Sequence, residues 1–137
     1  MRSYVLFFIV LLVPIYAQTL DDKSEQSDTP YFDFGQIFYH GLCDKDKQWI
    51  TSMLCDSVIA GVAFSCGEYC TKEQVTDWLC KKCYLLPEPE KVIIGIRQGD
   101  KGEKEILFFS QKKFLFSIAV CMERRIITRL GIGEYLL

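Results

Sequence analysis

A cysteine-rich stretch in the middle of the chain restricts the folds that this sequence can adopt. Residues 65–83 read SCGEYCTKEQVTDWLCKKC and contain four of the seven cysteines. Thr71 and Gln74 have the spacing of a capping box, in which each side chain binds the other residue's backbone N–H at a helix N-terminus. The pattern predicts a helix over residues 72–80. Its apolar face is formed by Val75, Trp78 and Leu79, and the Trp78 indole is expected in the core.

The first residues of the chain have the composition of a secretory signal peptide. Arg2 precedes an almost wholly apolar run from Tyr4 to Val13, and Ala17 is a small residue at a cleavage position. A membrane anchor is the alternative interpretation, but a spanning helix needs about 20 apolar residues, and this run is shorter. We therefore expect residues 1–17 to be removed and the mature chain to be secreted, without a membrane span.

Export changes how the cysteines are interpreted. In an oxidising compartment, closely spaced cysteines form disulfides more often than zinc sites, although the spacings C-x3-C and C-x2-C would also suit zinc. We expect disulfides, no metal site and no cofactor, and the odd number of seven cysteines leaves at least one unpaired. The disulfide candidates are Cys43, Cys55, Cys66, Cys70, Cys80 and Cys83, with the connectivity open. Cys121 is expected to keep a free thiol.

Charge and the segment after the signal peptide exclude some functions. Without residues 1–17 the chain has 15 basic and 18 acidic residues, so no basic patch predicts nucleic-acid binding. Residues 18–42 combine a flexible polar leader with an aromatic segment, which we expect to pack on the core rather than to form a sticky surface for lipid or a partner. His40 is the only histidine; catalysis would require a nucleophile and an acid beside it, so we expect a structural role.

Residues 43–137 are expected to form one disulfide-stapled domain of the α/β type. A one-sided apolar pattern predicts a long helix over residues 44–66. Strands are predicted at residues 92–97, 105–110 and 114–122, and the last two are continuously apolar, as in strands covered on both faces. The tail from Glu123 to Leu137 predicts a solvated surface without a site.

Three segments resemble the class 3 (fungal-type) lipases. Ala63–Cys70 resembles the end of that family's first helix, and Trp78-x-Cys80-x-x-Cys83 resembles a motif found after it in secreted lipases of protists. The strands at residues 105–110 and 114–120 resemble the pair that leads to the oxyanion loop. The resemblance covers Asp44 to Cys121. It implies a partial α/β-hydrolase-like fold, with N-terminal helices followed by a short mixed or antiparallel sheet, and a lipid or ester substrate.

The chain departs from the family where catalysis would be expected. Ala119–Arg124 replaces the F-R-G-T/S segment that supplies the oxyanion hole, and the family's G-x-S-x-G, Asp and His lie further downstream. Ser65 lies in an A-x-S-x-G sequence, but inside a predicted helix and after His40. The resemblance therefore implies a non-catalytic amino-terminal part of a lipase, whether a truncated product, a gene-model fragment or a degenerate relative, with no catalytic residue. The alternative is a secreted cysteine-rich protein with a binding or structural function and no enzymatic activity.

Overall fold

The computed structural model describes residues 19–44, 46–60, 66–99 and 103–137, with side chains from Asp28 onward. The predicted signal peptide, residues 1–17, and Ser65 lie outside the described residues. The chain divides into two compact units, residues 1–30 and residues 31–137. The buried core of the described residues lies in the second unit.

The described elements are helices and strands, as the predicted α/β class requires. The helices are α1 (Thr19–Asp44), α2 (Lys47–Ser52) and α3 (Lys72–Lys82). The strands are β1 (Leu54–Ile59), β2 (Tyr69–Thr71), β3 (Ile93–Gln98), β4 (Lys104–Ser110), β5 (Lys113–Cys121) and β6 (Ile126–Ile132). Single 3₁₀ turns occur at Cys83–Leu85, Pro89–Lys91 and Glu134–Leu136.

The strands form one mixed sheet with the order β2-β1-β6-β5-β4-β3. Strands β3 to β6 follow one another as an antiparallel meander. Strand β1 then joins β6 in parallel, and β2 pairs with β1 in the antiparallel sense. Because β2 and β3 are the outer strands, one edge of each remains without a ladder partner among the described residues.

Aromatic packing of α1 on the sheet forms the centre of the core. The Tyr39 ring stacks on Phe108 and Phe116, with ring centroids 5.8 and 6.3 Å away, and the latter two rings lie 4.3 Å apart. Phe34 and Phe38, on the same side of α1, are fully buried. Such rings contribute much of the area removed from water in a small core. The prediction that the aromatic segment packs on the core is therefore confirmed.

Helix α3 and the three predicted strands are also confirmed. Thr71 and Gln74 form the capping box, since the Gln74 N–H donates to the Thr71 hydroxyl and the Thr71 N–H donates to the Gln74 side chain. Val75 and Leu79 are buried, whereas Trp78 is half-buried. The predicted strands 92–97, 105–110 and 114–122 correspond to β3, β4 and β5 within one residue at each end.

The long helix predicted over residues 44–66 is wrong. Helix α2 ends at Ser52, and Leu54–Ile59 is strand β1, while residues 61–65 lie outside the described residues. The physical reason is pairing with distant segments: β1 bonds to β2 on one side and β6 on the other. These ladder bonds and the buried Leu54 and Val58 outweigh a helical pattern, since local propensity is a weak prior.

Two other predictions are corrected by the elements at the ends of the chain. The leader expected to be flexible, Gln18 to Pro30, is helical from Thr19 onward as the first part of α1; its Gln, Glu and Lys residues have good helix propensity. The tail expected to be a solvated surface contains β6, which lies inside the sheet between β1 and β5. Ile127 and Leu130 of β6 are buried, so its apolar residues belong to the core.

Candidate functional site

A groove between α1 and β3 is one of several concave surfaces of similar size on the described residues. Its volume is about 470 Å³, within the range of roughly 300–1,000 Å³ typical of small-molecule sites. Its lining comes from α1, from the 3₁₀ turn Pro89–Lys91, and from Val92 and Ile94 at the start of β3. The lining residues are Phe32, Gln36, Tyr39, His40, Pro89, Glu90, Val92 and Ile94.

The path of α1 over the sheet creates this groove. At Gly35 the helix lies very close to the sheet, since a Cβ atom there would be 2.9 Å from Ile106 Cγ2 and 3.4 Å from Ile94 Cγ2. One turn later, the buried Tyr39 ring stacks on Phe108 of β4 and Phe116 of β5. The Tyr39 hydroxyl donates to the Pro87 carbonyl oxygen at 2.6 Å, which links α1 to the segment that leads into the 3₁₀ turn Pro89–Lys91.

The Tyr39 hydroxyl has a structural role in the groove and does not donate a proton to a ligand. Burial is the main cause that raises the pKa of Tyr39 far above its usual value, and the neighbouring Cys43 and Tyr135 add to it. The hydroxyl therefore stays protonated over the physiological range. The hydroxyl hydrogen is donated to the Pro87 carbonyl oxygen.

The groove has an apolar side and a polar rim. Pro89, Val92 and Ile94 are half-buried, and Phe32 is 39 % exposed. The polar rim consists of Gln36, His40 and Glu90, all exposed. Four of the eight lining residues are apolar and four have a polar group, a mixture that suits an amphipathic ligand.

A second groove lies on the other side of His40. It has a volume of about 500 Å³ and shares Gln36 and His40 with the first groove. Asp44, Asp46 and Trp49 also line it. The exposed ridge of α1 between the two grooves is therefore bordered by carboxylates on both sides, with Glu90 on one side and the two aspartates on the other.

None of the eight described lining residues of the first groove is a serine, threonine or cysteine, the side chains that a histidine most often activates. The Tyr39 hydroxyl lines the groove, and its hydrogen is donated to the Pro87 carbonyl oxygen. Ser65, the serine of the A-x-S-x-G sequence, lies outside the described residues. No group of three or more His, Cys, Asp or Glu side chains suited to a metal ion occurs in the described part of the chain.

The segment Ala119–Arg124 contains the end of β5 and part of the turn that joins β5 to the antiparallel strand β6. Strand β5 ends at Cys121 and β6 begins at Ile126. The Arg124 N–H donates to the Cys121 carbonyl at 3.2 Å, and Arg125 has φ +53°. Hydrogen bonds from Arg124 are the main cause that lowers the pKa of the Cys121 thiol, so its thiolate is more populated than that of an ordinary cysteine.

The structure joins two of the six disulfide candidates. Cys66 and Cys70 form a disulfide with a Cα–Cα distance of 5.5 Å, which ties the entry of β2 to the residues before it. Cys43, Cys55 and Cys83 are thiols, as is Cys121. Cys80 lies half-buried on α3. The prediction that the chain contains a disulfide is confirmed.

Sequence patterns singled out His40 but missed the rest of the groove. Phe32 and Gln36 belong to α1, whereas Glu90, Val92 and Ile94 come from a segment more than 50 residues later. No motif or spacing connects these two segments. The only sequence signal for the groove was the aromatic segment. Phe34, Phe38 and Tyr39 of this segment are buried in the core, whereas Phe32 is exposed.

Comparisons with known proteins add no relative from which a function can be transferred. None of the helices in the described ranges is long and apolar enough to cross a membrane. The chain was compared with protein-family models, with curated proteins and with solved structures, and none of these comparisons found a match.

Proposed function

We propose that this chain is a secreted binding protein without enzymatic activity, and that the groove between α1 and β3 holds a small amphipathic molecule. The single observation that carries the proposal is the composition of the groove: an apolar wall beside a rim that contains Glu90 and His40. The volume of about 470 Å³ suits an alkyl chain or a small ring system.

The charge on the rim selects the polar end of the ligand. Glu90 is the formally charged residue that lines the groove at neutral pH, and Asp44 and Asp46 lie beyond His40. These carboxylates favour a cationic end, such as a primary amine, over a carboxylate. Because Glu90 is exposed to solvent, the preference is modest, about two- to fivefold in affinity, as expected for an interaction of roughly 0.5–1 kcal/mol.

Export and the disulfide are consistent with this function. The apolar start of the sequence predicts secretion, and a disulfide such as Cys66–Cys70 persists in oxidising compartments. Small secreted proteins gain stability from such bonds when the hydrophobic core is modest.

The lipase resemblance supplies a second candidate, a non-catalytic part of an α/β-hydrolase-like enzyme acting on lipids or esters. It is supported by the order of helices and strands, in which β4 and β5 form the expected antiparallel pair. Strand directions do not separate the two candidates, because the resemblance also implies a mixed or antiparallel sheet. We favour the binding protein because it is argued from the residues that line the groove.

Calorimetric titration of the purified chain from residue 18 onward tests the proposal. Decylamine, decanol and decanoate have the same alkyl chain and differ in their polar end. We expect binding of the amine and the alcohol, with the amine preferred at neutral pH. Val92→Asp should weaken all three ligands, because it places a charge on the apolar wall, whereas Glu90→Gln should remove only the preference for the amine.

Glu123→Gln is the matched control, since Glu123 is exposed in the turn between β5 and β6 and does not line the groove. This variant should bind like the wild type. Absence of binding by all three ligands would refute the proposed function. Hydrolysis of p-nitrophenyl esters by the wild type would contradict both candidates, since neither has enzymatic activity.

A further inference from the structure

Strand β3 leaves one edge of the sheet open. It is the outer strand beside β4, and no other strand of the described residues pairs with its far side. Its sequence, IIGIRQ over Ile93–Gln98, contains no proline or lysine, and its pairing with β4 has no bulge. Proline, lysine and bulges are the usual protection of an edge strand, because open N–H and C=O groups are a template for pairing with another strand.

The hairpin between β3 and β4 shows which backbone groups point to the open edge. The Gly99 N–H donates to the Glu103 carbonyl oxygen at 2.6 Å, so these two opposite residues are a hydrogen-bonded pair. In an antiparallel ladder such pairs alternate with non-hydrogen-bonded ones. Gly95 therefore directs its backbone groups to β4, whereas Ile94 and Ile96 direct two N–H and two C=O groups to the open edge.

The side chains along this edge are mostly apolar. Ile93 is 68 % exposed, and Ile94 and Ile96 are half-buried. Arg97 is the one charged residue of the strand, and its guanidinium donates to the Glu105 carboxylate at 2.9 Å. A strand that approaches this edge therefore meets an apolar surface whose charge is already compensated within the chain.

We propose that β3 pairs with β3 of a second copy of this chain, in the antiparallel sense and with the two-fold axis at Gly95. The two six-stranded sheets then join into one. Ile94 lies opposite the partner's Ile96, and these two residues exchange the hydrogen bonds that the open edge offers. By symmetry Ile96 lies opposite the partner's Ile94, so all four open groups of each copy are bonded.

Charge and apolar pattern select this occupant and this register. With the axis at Gly95, Arg97 lies opposite the partner's Ile93, and no like charges meet. An axis at Arg97 would place two guanidinium groups opposite each other, which is destabilising. An axis at Ile96 would place Ile94 opposite a glutamine, Gln98, instead of an isoleucine. The contact is smaller than a standard protein interface, so we expect a dimer whose population rises with concentration.

A charge exchange at the axis tests the proposal. A Cβ atom at Gly95 would meet only Phe109 Cε2 at 3.8 Å, so the monomer has room for a side chain there. Gly95→Lys or Gly95→Glu places like charges opposite each other across the axis and should weaken dimerisation about two- to fivefold. An equimolar mixture of the two variants pairs opposite charges and should dimerise better than either variant alone. Glu123→Gln is the matched control, because it changes the net charge by the same amount as Gly95→Lys in the turn between β5 and β6.

Sedimentation velocity at rising concentration measures the association of the chain from residue 18 onward. Accessible thiols are alkylated beforehand, so that disulfides between chains do not form. We expect the mass of the wild type and of Glu123→Gln to rise towards twice that of the monomer. A wild type that stays monomeric at every concentration would overturn the proposal, as would a mixture of the two Gly95 variants that associates no better than each variant does.

Amide hydrogen exchange of the wild type gives a second readout that needs no variant. The Ile94 and Ile96 amides should exchange rapidly in dilute protein and become protected in concentrated protein. The Gly95 amide faces β4 and should be protected at both concentrations. Equal exchange of the Ile94 and Ile96 amides in dilute and concentrated protein would refute pairing at this edge, whatever the mass of the particle.

Discussion

Gly133 is the position where a single added methyl group should damage the fold most directly. It follows β6, is buried, and has the ordinary dihedral angles φ −81° and ψ 162°. A Cβ atom there would lie 2.2 Å from the carbonyl oxygen of Phe114 and 3.0 Å from that of Leu115. Both obstacles are backbone atoms of β5, so no side-chain rotation relieves the clash. In Gly133→Ala, β5 must therefore move away from the end of β6.

The cost of this movement follows from the contacts that it breaks. Overpacking of a tight site costs about 1–3 kcal/mol. The Gly133 N–H donates to the Leu115 carbonyl at 2.9 Å, and loss of that bond adds about 0.5–1.5 kcal/mol. We expect Gly133→Ala to lower the free energy of unfolding by about 2–4 kcal/mol, or roughly 10–25 °C in melting temperature for a domain of this size.

Urea and thermal unfolding followed by circular dichroism measure this effect, and Gly95→Ala is the control. A Cβ atom at Gly95, in the outer strand β3, would meet only Phe109 Cε2 at 3.8 Å, an ordinary contact. Gly95→Ala should therefore stay within about 1 kcal/mol of the wild type. If Gly133→Ala unfolds at the wild-type urea concentration, or if both variants lose the same stability, the steric argument is refuted.

Three further variants test the capping box, the aromatic core and the buried phenol. Thr71→Ala removes the cap of α3 and should cost about 1 kcal/mol in urea unfolding; no change in the midpoint would contradict the capping role. Phe108→Ala removes a ring that stacks at 4.3 Å on Phe116 and should cost about 3–5 kcal/mol, whereas a loss below 1 kcal/mol would mean that the ring contributes little packing. Because burial raises the pKa of Tyr39, the folded state keeps the phenol proton above about pH 10, where the unfolded state releases it. The contribution of Tyr39 to the free energy of unfolding should therefore be complete below about pH 10 and decrease as the pH rises further. Tyr39→Phe should reduce the loss of stability at alkaline pH. At neutral pH it should cost about 0.5–1.5 kcal/mol, because the hydrogen bond to Pro87 is lost. An unchanged dependence of stability on pH would contradict the role of the phenol.

Elements whose signals are local could be predicted from the sequence. The capping residues and the apolar face of α3 lie within one short segment, and its helix begins at Lys72 as predicted. The turn between β4 and β5 is equally local: Gln111 and Lys112 have φ +52° and +67°, as in the tight turns that join antiparallel strands. In both cases the residues that form the bonds are near neighbours in the chain.

Elements whose partners are distant could not be predicted. Strand β1 follows α2 directly, and its residues have an apolar pattern that also suits a helix. Pairing with β2 on one side and with β6 on the other, where Leu54 lies beside Ile127, makes the extended conformation preferable. The same holds for β6 itself, whose charged and glycine-containing sequence indicated a surface segment until its place between β1 and β5 was known.

The sequence by itself determined the aromatic segment of the core, the cap of α3, strands β3 to β5 and the presence of disulfide chemistry, because each depends on residues close together in the chain. The tertiary structure decided the parallel pairing of β1 with β6 and the groove between Gln36 and Ile94. These features join residues tens of positions apart. The close approach of α1 to the sheet at Gly35 is likewise a distance that no local pattern specifies.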